Sequence, residues 1–215
     1  MKSYSLTDAV GITHTFDKVP QRIVSLVPSQ TELLVDLGLE SKIVGITKFC
    51  IHPQHLKTAK CIVGGTKKVN YDKIKALKPD VIICNKEENT LDIVENLRAL
   101  CAVWVTDILT LEDNFKMIDD LGKLLGCTTG AQHSMIRLSF ALSDFRQFIK
   151  NKPVQKVAYF IWKNPYMVAG SDNFINELLK LNHFENVFEN QPRYPEIELQ
   201  QISKKNRFGF NFSFF

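Results

Sequence analysis

Hydrophobic residues fall along this chain in two rhythms: short solid runs, and longer stretches in which apolar positions recur every three or four residues. The runs Ile23-Val24-Ser25-Leu26-Val27, residues 42–47, Asp80-Val81-Ile82-Ile83-Cys84 and Val103-Trp104-Val105 are rich in β-branched side chains and too short for helices. They predict strands buried on both faces. Pro28-Ser29-Gln30 stops the first of them. Thr31 then stands where it caps a helix with apolar positions Leu33, Leu34 and Leu37, and Gly38 lies where a left-handed residue ends it. The same reasoning predicts helices over 71–77, 90–101 and 111–126.

Strands that alternate with helices pair in parallel, so the fold class is α/β, with the loops that follow the strands opening at one sheet edge. Residues 129–150 carry Met135, Leu138, Leu142, Phe145, Phe148 and Ile149 at helical spacing and no proline, which predicts one long amphipathic helix closed by Pro153. A strand over 156–161, a loop through Asn164-Pro165-Tyr166, a helix over 173–181 and a strand at Asn186-Val187-Phe188 then echo the first strand, loop, helix, strand unit. The predicted organisation is an N-terminal α/β lobe over 20–127, a connecting helix over 128–152, a partial C-terminal α/β lobe over 153–202 and an atypical aromatic tail over 203–215.

Composition narrows the function by exclusion. A chain of 215 residues with 45% hydrophobic content can bury a substantial core in one domain or two small lobes. The net charge of +4 is mild and spread out, which argues against nucleic acid as a partner. No run of about 18 apolar residues exists, so no transmembrane segment is expected. Residues 1–10, MKSYSLTDAV, lack an apolar leader core and a cysteine for lipidation; either a leader is missing or the protein stays inside. The odd set Cys50, Cys61, Cys84, Cys101 and Cys127, without CxxC spacing, fits reduced thiols and leans towards a cytoplasmic location.

The sequence contains no GxSxG, HExxH or P-loop motif, and the glycine spacing of Gly64-Gly65-Thr66-Lys67 is wrong for a phosphate loop. No enzyme activity, catalytic residue or cofactor is therefore expected. A metal site can be drawn from Cys50, His52, His55 and Cys61, but C-x-H-x2-H is not a recognised finger and Pro53 breaks any helix that would align the histidines; no metal is expected there. The other role open to His52 is as an axial ligand to cobalt or a donor to a corrin amide.

Three blocks in order carry a family resemblance: RIVSLVPSQTELLVDLGLESKIVGIT from Arg22, VGGTKKVNYDKIKALKPDVIICN from Val63, and KNPYMVAGSDNFINELLKLNHFENVF from Lys163 followed by RYPEIELQQI from Arg193. Over roughly 18–202 the chain resembles the vitamin B12 and iron-siderophore substrate-binding proteins of ABC importers, the helical-backbone class of periplasmic receptors, and most closely their cobalamin-binding branch. The resemblance implies two parallel-sheet α/β lobes joined by a stiff backbone helix, a cleft between them for a corrinoid, haem or siderophore, a permease partner and a periplasmic location. From Ser203 the pattern departs: KKNRFGFNFSFF replaces the elements that would complete the second lobe, and such an aromatic edge predicts self-association. The alternatives are an intracellular corrinoid- or metal-chelate-binding protein without a transport role, and a truncated remnant.

Candidate ligand residues follow from both lines. Phe49, Trp162, Tyr166 and Tyr194 lie in loops after predicted strands, where rings can cover a flat macrocycle; core packing is the competing reading. Ser29, Gln30, Thr66 and Lys67 are placed to hydrogen-bond ligand amides or phosphate, against a plain capping role for Ser29 and Gln30. Lys67 stands where well-known cobalamin binders carry an aromatic. In the resembled class a carboxylate on each lobe docks onto permease arginines: Asp72 matches the first position, whereas Gln200 occupies the second, with Glu196 and Glu198 nearby.

Overall fold

In the computed structural model, which describes residues 3–201, the chain begins with an antiparallel hairpin, β1 (Tyr4–Thr7) and β2 (Thr13–Phe16), that the apolar pattern does not announce. A side chain closes it. The Asp8 carboxylate accepts from the backbone N–H groups of Val10 and Ile12, and Gly11 takes φ +84°.

The predicted runs form the sheet that follows. The strands β3 (Ile23–Ser25), β4 (Ile43–Ile46), β5 (Cys61–Ile62), β6 (Val81–Asn85) and β7 (Ala102–Thr106) lie in the order β5-β4-β3-β6-β7, all parallel. Between them run α1 (Pro28–Asp36), α2 (Leu56–Ala59), α3 (Tyr71–Ala76) and α4 (Leu91–Arg98). Every side chain of β3 and β6 is buried, as expected where helices cover both faces of a parallel sheet. Val24, Leu26, Ile82, Cys84, Val103 and Val105 pack with Ile74, Ile93 and Leu97. Burial pushes the Cys84 thiol up to about 12. All five cysteines are free.

Two local details differ from expectation or sharpen it. Thr31 does not cap α1. Pro28, whose ring fixes φ at a helical value, starts the helix three residues earlier, with Val27 at the cap. Thr31 sits inside it, its hydroxyl within hydrogen-bond distance of Val27 O at 2.9 Å and of Ser25 Oγ at 2.8 Å. Gly38 does take the left-handed conformation, φ +77°.

The helices α5 (Leu111–Leu125) and α6 (Thr128–Ile149) follow, and α6 is unbroken over its 22 residues. The chain divides into two units, one comprising Met1–Asp107 and Phe115–Ile136, the other Ile108–Asn114 and the chain from Arg137. In the second unit β8 (Gln155–Val157) pairs in parallel with β11 (Phe184–Asn186), and β9 (Phe160–Trp162) pairs antiparallel with β10 (Met167–Val168). The helix α7 (Phe174–Leu181) precedes β11.

The single strand predicted over 156–161 is thus two strands in two sheets, because the Tyr159 carbonyl bonds the Ala169 N–H and the chain changes partners there. The strand predicted at 186–188 lies earlier, at Phe184–Asn186: the Asn186 side chain accepts from Phe188 N–H and turns the chain out of the ladder. A small core of Val168, Phe188 and Ile197 packs with Phe160 and Tyr166. A Cβ on Gly170 would fall 1.9 Å from Gln191 O, so only glycine fits that approach. The aromatic tail over 203–215 lies outside the described residues. No helix among the described residues is long and apolar enough to cross a membrane.

Candidate functional site

The first connection of the sheet leaves β3 towards β4, and the chain later returns on the other side of β3 as β6. In α/β sheets the edge beyond the strand C-termini at such a switch point is where ligands bind. Here five loops meet at that edge, and named hydrogen bonds stitch them together. Gln30 Nε2 donates to Thr106 Oγ1 at 2.5 Å, tying the start of α1 to the end of β7. Asn85 Nδ2 donates to the same hydroxyl at 3.1 Å, and Thr106 Oγ1 donates onward to Cys84 O. Asn89 Oδ1 accepts from Asn85 N–H while its Nδ2 donates to Thr66 O at 2.9 Å, joining the loops after β6 and β5.

The outer layer is equally tied. The Lys48 N–H donates to Gly64 O at 2.8 Å, and Lys67 Nζ donates to Glu87 O at 2.6 Å. The Phe49 ring lies over Gly65, where a Cβ would stand 3.1 Å from its Cε2, and the Lys48 ammonium sits 5.0 Å from the ring centroid. Lys86 pairs with Asp107 at 2.6 Å. The result is a rim held from behind by buried amides, with an exposed aromatic ring and ammonium groups in front. It can cover an apolar face and meet polar or anionic substituents around it.

Five sequence candidates fall on this edge, in two layers. Phe49, 50% exposed, Ser29 and Lys67 are at the surface. Gln30, 3% exposed, and Thr66 are buried and belong to the supporting layer; Gln30 Oε1 has no hydrogen-bond partner among the described residues. In the second unit Trp162 ends β9 at 63% exposure. Tyr166 is half-buried, edge-on to Phe160 at 5.9 Å. Tyr194 is half-buried with the Arg193 guanidinium 5.4 Å from its ring. Asp72 is exposed in the first turn of α3, whose cap is Asn70, and Glu198 is exposed.

The residues drawn as a metal set do not converge. Cys50 is buried against the hydroxyls of Thr31 and Thr47, and exposed His55 pairs with Glu40 at 2.9 Å. Among the described residues no three His, Cys, Asp or Glu side chains form a metal-holding group. Sequence reasoning missed Lys48, Asn85, Asn89 and Thr106. Their only signal is position: each lies just past, or ends, an apolar strand run.

Comparison with known proteins gives a consistent set. The family described as periplasmic binding protein matches residues 23–207. An uncharacterized ABC transporter substrate-binding lipoprotein of Bacillus subtilis is 28% identical over 211 residues, covering 94% of this chain and 66% of that protein. The periplasmic vitamin B12 binding protein of Vibrio cholerae superposes with a TM-score of 0.77 at 25% identity, over 87% of this chain and 74% of the other. A periplasmic heme binding protein of Pseudomonas aeruginosa gives 0.78 at 26% identity, over 86% and 69%. The chain spans about two thirds of the length of the curated relatives it matches.

Proposed function

The chain belongs to the periplasmic binding protein family, and from that premise we propose that it is the substrate-binding component of an ABC importer, capturing a corrinoid or a ferric chelate such as haem or an iron siderophore. The observation that carries the reading is the stitched rim at the switch point, where an exposed Phe49 ring and the Lys48 and Lys67 ammoniums stand on a layer of buried amides. A flat chelate with an apolar face and carboxylate, amide or phosphate substituents asks for that combination. A rim held by its own hydrogen bonds also loses little conformational entropy on binding.

In this reading Phe49 covers the ligand face, Ser29, Lys48 and Lys67 meet its polar edge, and Gln30 and Thr66 hold the loops behind them. Among the residues of the second unit, the proposed contacts are Trp162, Tyr166 and Tyr194. The protein works by binding and release, without a catalytic residue or a resident cofactor. Asp72 and Glu198 are the proposed docking carboxylates for a permease, and the place of action is the outer side of the cytoplasmic membrane.

Absorbance titration tests it. Cobalamin, cobinamide, haem and ferric chelates are added to the purified chain, and a saturable shift in the chromophore band with one of them identifies the ligand class. No shift with any of the four sets the reading aside.

A further inference from the structure

We propose that the second unit carries a separate groove for an amphipathic monocarboxylate, using none of the residues of the strand-edge site. The groove has a volume of about 400 Å3. Leu111, Ile149 and Leu181 supply its apolar lining, and Arg146, Lys150 and Lys180 supply cations. Glu177 and His183 complete the rim. All of these belong to one unit. The volume lies at the small end of ligand pockets, which suits an eight-carbon acid.

Charge selects the head group. Arg146, in the last turn of α6, and Lys150, just past its end, stand four residues apart, where the helix terminus favours each cation and their like charge opposes the pairing; neither has an ion-pair partner among the described residues. Lys180 does have one, Glu189, whose carboxyl it holds below the ordinary value through a direct hydrogen bond. Glu177 is the single carboxylate in the lining. Arg146 and Lys150 thus stand outside any ion pair among the described residues beside an apolar wall, and with Glu177 counted against them the groove keeps a net positive charge. A carboxylate meets them both: the Arg146 guanidinium offers it two parallel N–H donors and Lys150 a third. The hydrocarbon tail then covers Leu111, Ile149 and Leu181 and takes their apolar area out of water. Neither a neutral alcohol nor an ammonium of equal length has both terms.

The test is calorimetric titration of the full chain with sodium octanoate, octanol and octylammonium chloride, repeated on the Arg146→Glu/Lys150→Glu double variant after its circular dichroism is matched to the parent. Saturable octanoate binding is expected, at least about tenfold weaker in the double variant, with octanol weaker still than octanoate and octylammonium not bound. A second variant, Leu181→Asp, removes the apolar wall and is expected to weaken octanoate as well. No saturable octanoate binding overturns the proposal, as does equal binding to parent and double variant, or octylammonium binding as tightly as octanoate.

Discussion

The same elementary unit, a strand, a helix and a second parallel strand, occurs in both halves of the molecule and is stabilised differently in each. In β3–α1–β4 the first strand is flanked on both sides, by β4 and by β6, and none of its side chains reaches water. In β8–α7–β11 the strands pair only with each other among the described residues, and Gln155, Lys156 and Glu185 are exposed. Parallel strands gain their stability from cover on both faces, and an isolated pair is marginal. The second unit compensates with buried amides. Asn186 Nδ2 donates to Ala169 O and to Asn176 Oδ1, and Asn173 Nδ2 donates to carbonyls on both sides of the 170–193 approach. The first unit rests on a large apolar sheet core, whereas the second has only the small core of Val168, Phe188 and Ile197 and leans more on its hydrogen bonds.

The largest effect that can break this comparison is a cavity in the first sheet. Ile82 is fully buried on the strand beside β3, so Ile82→Ala is expected to cost about 2–5 kcal/mol in urea unfolding. The half-buried Val157 on β8 is expected to cost about 1 kcal/mol or less as Val157→Ala. Trp104, buried in the first unit, and Trp162, exposed in the second, serve as separate reporters once the other is replaced by phenylalanine. Equal costs would mean that both units rest on the same kind of core. Hydrogen exchange reads the same contrast without substitution: amides of 24–27 and 81–84 should exchange about a hundredfold more slowly than those of 157–161. Equal protection in a monomeric sample would erase the difference.

The contrast also explains what was legible in the sequence. β3, β4, β6 and β7 were visible because a strand buried on both faces must be written as a solid apolar run, and Gly38 because its backbone conformation needs glycine. The hairpin at 4–16 was not, since what closes it is the Asp8 carboxylate and not an apolar pattern. The break at Tyr159 was hidden for a similar reason: a backbone carbonyl chooses its partner there, and no side chain records the choice. At the candidate site Phe49, Ser29 and Lys67 of the surface layer, and Gln30 and Thr66 behind them, were readable as ring or polar residues after strands, whereas Lys48 was not. Nor were Asn85, Asn89 and Thr106 of the supporting layer, because polar residues at strand ends look like solvated loop until the structure shows them buried.

An effect of intermediate size sharpens the comparison through function. Trp162→Ala, Tyr194→Ala and Phe49→Ala are each expected to weaken binding of the chromophoric ligand by about 1–3 kcal/mol, the range of an aromatic anchor. Fluorescence or absorbance titration measures it. If Phe49→Ala weakens binding while the two variants of the second unit do not, the tyrosine and tryptophan serve packing and the ligand is read by the strand edge alone.

The smallest expected difference compares two helix caps. Thr90 caps α4 in the first unit by accepting from Ile93 N–H at 3.3 Å, and it is exposed. Asn173 caps α7 in the second by accepting from Asn176 N–H at 3.0 Å, and it is buried. Thr90→Ala removes one weak bond whose donor then finds water, at about 0.5–1 kcal/mol. Asn173→Ala removes the cap and also the bonds its amide donates to the carbonyls of Gly170, Ser171 and Arg193, which keep Asn186 Nδ2, the Arg193 N–H and the Gly170 N–H as their other donors; the lost bonds add about 0.5–1.5 kcal/mol. The second substitution is therefore expected to cost more than the first by about 1 kcal/mol, each followed through the tryptophan of its own unit. Asn173→Asp separates the two contributions, because it keeps the accepting oxygen and loses the donor. If it behaves as the parent, the cap alone matters and the amide network is not what replaces the missing sheet; if it behaves as Asn173→Ala, the donated bonds carry the second unit.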